Sequence, residues 1–329
     1  MGSRSIRIRE LITMEKCTIQ ILSGGYVQEP ATIEGIQWET ARVGEPSKLT
    51  FTVIKDDKLS FSEGAETIFK YGNVNVFSGY VFEKRRNKDH HIEVTCYDRT
   101  FYLKNKENYV MAGVRADQVI TRIAADMGLR VGEIANTGYV IPKFAKSDMA
   151  LIDVIQDALD ETMMATGELY CLYDNFGSLT LTHMKDMITD LLITHDTAED
   201  FDYATSINGN TYNSIVVTTN EGDPIVVNDT RTQKQWGVLQ NVVNQSTGGN
   251  AAETAKIMLQ MYNQVSRTLT VNGCLGDIRV RAGSSVYVYL NLGDHICNQS
   301  LLVNRATHKF ENGHHSMELT LIDGRGFYG

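Results

Sequence analysis

Arg281-Ala-Gly-Ser-Ser-Val-Tyr-Val-Tyr-Leu290, Leu301-Leu-Val-Asn-Arg-Ala-Thr-His-Lys-Phe310 and Gly313-His-His-Ser-Met-Glu-Leu-Thr-Leu321 follow one another at the C-terminal end of the chain. Val286, Val288 and Leu290 alternate with polar or amphipathic residues, and so do Met317, Leu319 and Leu321. A period of two is that of a strand with one buried face. Asn312-Gly313 is a two-residue hairpin signal between the last two segments. Gly283 is read as a turn that lets Ile278 and Val280 pair with Val286, Val288 and Leu290. This end is therefore expected to be antiparallel sheet.

The same period fills the first hundred residues. Leu49, Phe51 and Val53 oppose Thr50 and Thr52, and Ile92, Val94 and Cys96 oppose Glu93 and Thr95. Residues 74–84 and 92–97 read as a hairpin whose basic tip is Arg85-Arg-Asn-Lys-Asp-His90. The period then lengthens to that of a helix. Val119, Ile120, Ile123 and Met127 make one stripe stopped by Gly128; Leu151, Ile152, Ile155, Ala158, Leu159 and Thr162 make another, with Ser147 as N-cap and Gly167 as terminator. Residues 169–173 and 178–182 read as a short hairpin.

In the last third, 215–219 and 225–227 flank Glu221-Gly-Asp-Pro224 as a hairpin, and one helix, at about 250–266, opens on Asn250 with Glu253 three residues later. The pattern predicts a mainly β chain with an α+β insert: a β-domain over 1–99, a small α+β domain over 100–186 and a β-rich domain over 187–329. With 4 prolines and no Gly/Ser tract, the three parts are expected to pack as one body.

The chain has 329 residues, 31 basic and 40 acidic side chains and a net charge of −9, a balance that argues against a general nucleic-acid binder. Cys17, Cys96, Cys171, Cys274 and Cys297 are widely spaced with no CxxC pair, and read as buried thiols of a reducing compartment. No apolar run is long enough for a membrane helix, and Met1–Glu10 lacks the apolar stretch of a secretory signal.

The chemical candidates are weak. His308, His314, His315 and His295 could suggest a metal, but adjacent strand residues point to opposite faces and no zinc spacing is present. The acidic run His195-Asp-Thr-Ala-Glu-Asp-Phe-Asp202 lacks the glycine of a calcium loop. A glycosidase needs two carboxylates converging across a cleft, and a pair such as Asp160 with Glu168 reads equally well as helix-surface charges; no nucleophile elbow, phosphate loop or dinucleotide fingerprint occurs. No catalytic, cofactor or metal residue is expected.

Several segments resemble the baseplate hub proteins of contractile phage tails and phage-tail-like bacteriocins, in particular the XkdQ-like branch. They are Leu59-Ser-Phe-Ser-Glu-Gly64, Val76-Phe-Ser-Gly-Tyr-Val-Phe82, Tyr97-Asp-Arg-Thr-Phe-Tyr-Leu-Lys-Asn-Lys106, Asp153-Val-Ile-Gln-Asp-Ala-Leu159, Gln235-Trp-Gly-Val-Leu-Gln240 and the closing strands. More distantly, late-control D proteins and the hub part of type VI secretion spikes are similar. The resemblance implies two tail-tube-like β-barrel domains bracketing the α+β part, and a homotrimer presenting a pseudo-sixfold ring. It implies a non-enzymatic part of a phage or bacteriocin baseplate, assembled in the bacterial cytoplasm and neither membrane-embedded nor sequence-specific for nucleic acid. Its partners would be the tail tube, central spike, tape measure and other baseplate proteins. Some such relatives carry a fused lysozyme or peptidase domain; with Phe327-Tyr-Gly329 following the last predicted strand, none is expected here. Arg85, Arg86, Lys88, His308, His314 and His315 are the candidate interface residues, with a tail-associated peptidoglycan hydrolase as the alternative function.

Overall fold

Alternating sequence gives strands throughout, and in the computed structural model these form, among the described residues, one 13-stranded sheet and three small ones. The structure describes residues 15–89, 91–219, 222–245, 250–293 and 295–323; His90, Glu221 and the two chain ends quoted above lie outside them. The first third folds into β1 (Cys17–Ser23), β2 (Tyr26–Gln28), β3 (Thr32–Ala41), β4 (Lys48–Ile54), β5 (Glu66–Tyr71), β6 (Val74–Arg86) and β7 (His91–Tyr97). Their inward residues, among them Ile21, Leu49, Phe51, Phe69 and Val94, bury into one core.

The middle third holds β8 (Lys106–Val114), α1 (Ala116–Asp126), β9 (Val131–Ile134), β10 (Ile141–Ala150), α2 (Leu151–Thr166), β11 (Tyr170–Asp174) and β12 (Leu179–His183). Val119, Ile120 and Ile123 of α1 meet Val154, Ile155 and Ala158 of α2 in a second core. Gly167, at φ 74°, ends α2 in the left-handed conformation, and its N–H donates to the Met163 carbonyl. Ser147 is not the N-cap of α2. Strand β10 runs on to Ala150, and Ser147 Oγ bonds Asn108 Oδ1 at 2.9 Å instead.

The last third contains β13 (Ile188–Ile193), β14 (Asp200–Ser206), β15 (Ser214–Thr219), β16 (Ile225–Asn228), α3 (Thr230–Trp236), β17 (Gln240–Gln245), α4 (Ala251–Tyr262), β18 (Ser266–Leu275), β19 (Ser285–Asn291), β20 (Ile296–Glu311) and β21 (His314–Ile322). Asn250 caps α4 through the N–H groups of Ala252 and Glu253. The helix stops at Tyr262, short of 266, where the Tyr262 carbonyl accepts from Tyr212 N. Strands β15–β17 and α4 share a core of Ile215, Val217, Ala255 and Met258.

The chain is mainly β as expected, but among the described residues no sheet closes into a barrel, so the two-barrel arrangement is not confirmed. The large sheet is organised by β20. It pairs with β21 from Leu302 to Glu311, while its other edge passes from β19 (through Leu302) to β3 (from Arg305). One long strand thus belongs to both halves and joins them into a continuous sheet. A correction concerns residues 276–284, which form turns, not a strand. Val280 N donates to Asp277 O, and Val280 O is taken by a histidine ring.

Candidate functional site

The turns at 276–284 sit where all three parts of the chain meet. Ala282 N donates to Thr40 Oγ1 of β3 at 2.9 Å, and the Cys171 thiol of β11 faces Ala282 O at 3.7 Å. Gly283 has φ 93°, and a Cβ there would lie 2.6 Å from Cys171 Sγ. Only glycine meets both the backbone and the space requirement. Gly283→Ala is expected to cost about 1–3 kcal/mol, read as a lowered urea midpoint with an unchanged m-value.

Arg281 lies over the Tyr173 ring, its guanidinium carbon 3.7 Å from the centroid, and Nη2 donates to the main-chain oxygen of Asp174 at 3.4 Å. Two buried carboxylates flank it. Asp98 caps the turn after β7 by accepting from Thr100 N and also accepts from Ser47 N. Asp174 accepts from Gly177 N. Burial, then the charge of Asp174, pushes Asp98 up to about 7; burial raises Asp174 as well. Ser47 Oγ in turn accepts from Trp38 Nε1 at 2.8 Å, so the junction continues into the β3–β4 core.

Convergent carboxylates with raised pKa are what a hydrolase would show. These two are 3% and 7% exposed and lie inside the join, closed to a polysaccharide. Of the pair considered from sequence, Glu168 is held by His183 and Lys185, and Asp160 accepts from Gln156. A groove of about 610 Å³ lies between the first and middle parts, but Arg99 within it is engaged by Glu66, Ser78 and Tyr80.

The candidate interface residues divide. Arg85, Arg86 and Lys88 stand exposed at the β6–β7 tip, Arg85 paired with Glu83 at 3.0 Å. His314 is exposed beside the β20–β21 turn. His308 is fully buried against Trp38, so its side chain offers nothing to a partner in this conformation. Its Nε2 donates to Val280 O and its Nδ1 accepts from His315 Nε2, each at 2.9 Å, which fixes both tautomers. Burial pulls His308 down to about 3, with the neighbouring His315 adding to the effect, and burial pulls His315 to about 4. Among the described residues no group of three His, Cys, Asp or Glu is placed to hold a metal ion, and no helix is long and apolar enough to cross a membrane.

Sequence reasoning had no means of finding Asp98, Asp174 and Arg281, which are 76 to 183 positions apart in pairs that only the fold unites. Asp98 and Arg281 stood inside quoted segments, but nothing local marked either as buried.

In architecture the chain is a mainly β protein of the kind found in tail proteins. It is similar to a 43 kDa tail protein of a Shewanella oneidensis prophage, with TM-score 0.70 at 12% identity over 94% of this chain and 99% of that one. A tail protein of Neisseria meningitidis matches at TM-score 0.69 and 13% identity, over 94% and 98%. A type VI secretion component of E. coli, described as structurally similar to the T4 tail proteins gp27 and gp5, matches at TM-score 0.56 and 11%, over 92% and 75%. The chain belongs to the YqbQ-like family, whose model matches residues 36–322. It is 29% identical over 303 residues to the uncharacterized protein YqbQ of Bacillus subtilis, covering 88% of this chain and 92% of that one. It is likewise 29% identical over 308 residues to protein XkdQ of the phage-like element PBSX in that organism, covering 90% and 93%.

Proposed function

We propose that this chain is a structural, non-enzymatic component of a phage-tail-like baseplate, and within it the hub that joins tail tube to central spike. The observation that carries the reading is the near end-to-end fold match to a prophage tail protein, at 94% and 99% coverage, together with the family and its PBSX relative. Three copies would form a ring with pseudo-sixfold symmetry toward the tube and threefold symmetry toward the spike. The ring would nucleate tube assembly, retain the spike until contraction and surround a channel for the tape measure. Such a role needs extended complementary surfaces and a rigid frame; the shared strand β20 and the buried junction supply the frame. Contact surfaces would include the Arg85–Lys88 tip and His314.

Native mass by light scattering tests the reading, for the chain alone and mixed with the spike protein encoded nearest to it. Threefold stoichiometry in either sample supports it, and a monomer that ignores the spike overturns it. A turbidity assay on cell walls should show no lysis. The double charge reversal Arg85→Glu, Arg86→Glu should leave the monomer's stability within about 0.5 kcal/mol while reducing incorporation into particles; unchanged incorporation would remove the tip from the interface.

A further inference from the structure

Two strand edges of this chain are left bare. Strand β8 pairs only with β10 and β17 pairs only with β15, so each has one side whose N–H and C=O groups meet no other strand among the described residues. Open edges invite further strands, and proteins blunt them with charges, proline, bulges or brevity. The far edge of the β8–β10 ribbon is blunted in this way. Strand β10 carries Pro142, Lys143 and Lys146, and it bulges near Asp148, whose φ is 51°. The open strands β2, β9 and β16 are three or four residues long, β13 and β14 carry aspartates, and β11 is taken up in the buried junction. Residues 108–114 of β8 and 240–245 of β17, by contrast, include neither charge nor proline.

Each bare edge displays a valine. Val110 is 80% exposed and Val242 56%, both on the face turned away from the helices. On the helix side, Tyr109 and Met111 of β8 pack toward α1 and α2, and Val243 of β17 packs toward α4. In the β16–β15–β17 sheet the outward valines already stand in a row, Val226 beside Val216 beside Val242. In the ribbon, Val110 stands beside Ala145.

We propose that β8 of one copy and β17 of a second copy pair edge to edge, with Val110 beside Val242. This pairing rests on the hub reading, for it names the surfaces through which the copies of that ring meet. The two-stranded and three-stranded sheets become one of five strands, a usual size, whereas a lone two-stranded ribbon is marginal. The outward row then runs unbroken from Val226 to Ala145, and α1, α2 and α4 all stay on the opposite face. Tyr109 and Met111 meet Asn241 and Val243 whichever way the strands run. A slip of one residue turns an exposed valine toward the helices. Room for the added strand exists in a groove of about 430 Å³ along Glu107–Met111, walled by Arg122, Asp126 and Met127 at the end of α1. The two wall charges pair with each other at 2.9 Å, so the groove suits an uncharged strand such as β17. Because the two edges differ, the contact is head to tail, and three such contacts close a ring.

A charge exchange tests the pairing, in the full chain with and without the spike protein, by light scattering. Val110→Lys and Val242→Glu should each lower the threefold species roughly tenfold at equal concentration, because each buries an unpaired charge at the contact. Combining them should restore it through a Lys–Glu cross-strand pair, whereas Val110→Lys with Val242→Lys should not. Both side chains are exposed in the single chain, so urea midpoints should stay near the parent's. Val110→Cys with Val242→Cys, in a Cys17→Ser background oxidised with diamide, should give covalent species of two and three chains on a non-reducing gel, and neither cysteine alone should give any. Threefold species untouched by either single charge, or no covalent species, would overturn the edge pairing and leave the hub reading standing. A covalent dimer from Val110→Cys alone would set β8 against itself and overturn it too. A chain monomeric with and without the spike overturns both readings.

Discussion

Arg281→Met lowers the unfolding free energy by about 3 kcal/mol, whereas Arg279→Met, two positions away, costs less than about 1 kcal/mol. Arg279 is the better-paired residue on paper, reaching Asp277 at 2.6 Å and Asp190 at 2.7 Å. Its side chain is 61% exposed, however, so water and salt screen it and replace it readily. Arg281 makes a weaker-looking set of contacts, one hydrogen bond and one ring face, but its Nε is shut from solvent and two buried carboxylates lie nearby. Removing that positive charge leaves Asp98 and Asp174 with less to balance them, and removes the group that bridges the last third to the middle one. Urea titrations of both variants at pH 7 check the ranking. An Arg281→Met cost below 1 kcal/mol would mean that the apolar contacts of Met163, Leu169, Met184 and Leu302 hold the middle and last thirds together without the guanidinium.

Much of this arrangement was legible in the sequence, and the portions that were not share a cause. Residues with strong periodicity, such as Leu49, Phe51 and Val53 or Met317, Leu319 and Leu321, are buried where alternation placed them. Gly167 and Asn250 end and begin helices as local chemistry requires. By contrast Lys106–Val114 hides its strand behind polar residues and an exposed Val110, because its partner β10 covers an edge and not a core face. The short α3 and the parallel strand β17 carry too little apolar pattern to announce a crossover. Ile278 and Val280 did alternate, yet they are held in a turn by Asp277 and by the ring of His308, the latter 28 residues away from Val280. Register across β20 and β3 is likewise non-local, and it is this pairing that joins strands of the first and last thirds in one sheet. Periodicity reports which residues are buried; it does not report which strand they are buried against.

Stability should respond to pH in two opposing ways. Asp98 rises from 3.8 to about 7 on folding, so between those values the folded chain keeps a proton that the unfolded chain has released. Its contribution is complete below pH 3.8 and is lost as pH rises through 7, a loss of up to roughly 4 kcal/mol. His308 moves the other way, from 6.5 to about 3, and His315 from 6.5 to about 4. Both rings are neutral when folded, so their contribution is complete above pH 6.5 and is lost on acidification through 4 and then 3. In the overlap, between about pH 4 and 6.5, one proton opposes two, and stability should rise with pH at the slope of one net proton, about 1.4 kcal/mol per pH unit. Asp98→Asn separates the terms, because the amide keeps the shape and does not titrate. Its stability relative to the parent should grow steadily from pH 4 to pH 7, and within the overlap its own slope should double. Urea midpoints at half-unit steps of pH measure this, and imidazole resonances of His308 that stay neutral down to pH 4 provide an independent check on the histidine side. A gap that does not change between pH 4 and 7 would show that Asp98 is ionised in the fold, and would place the balancing charge of Arg281 closer to it than to Asp174.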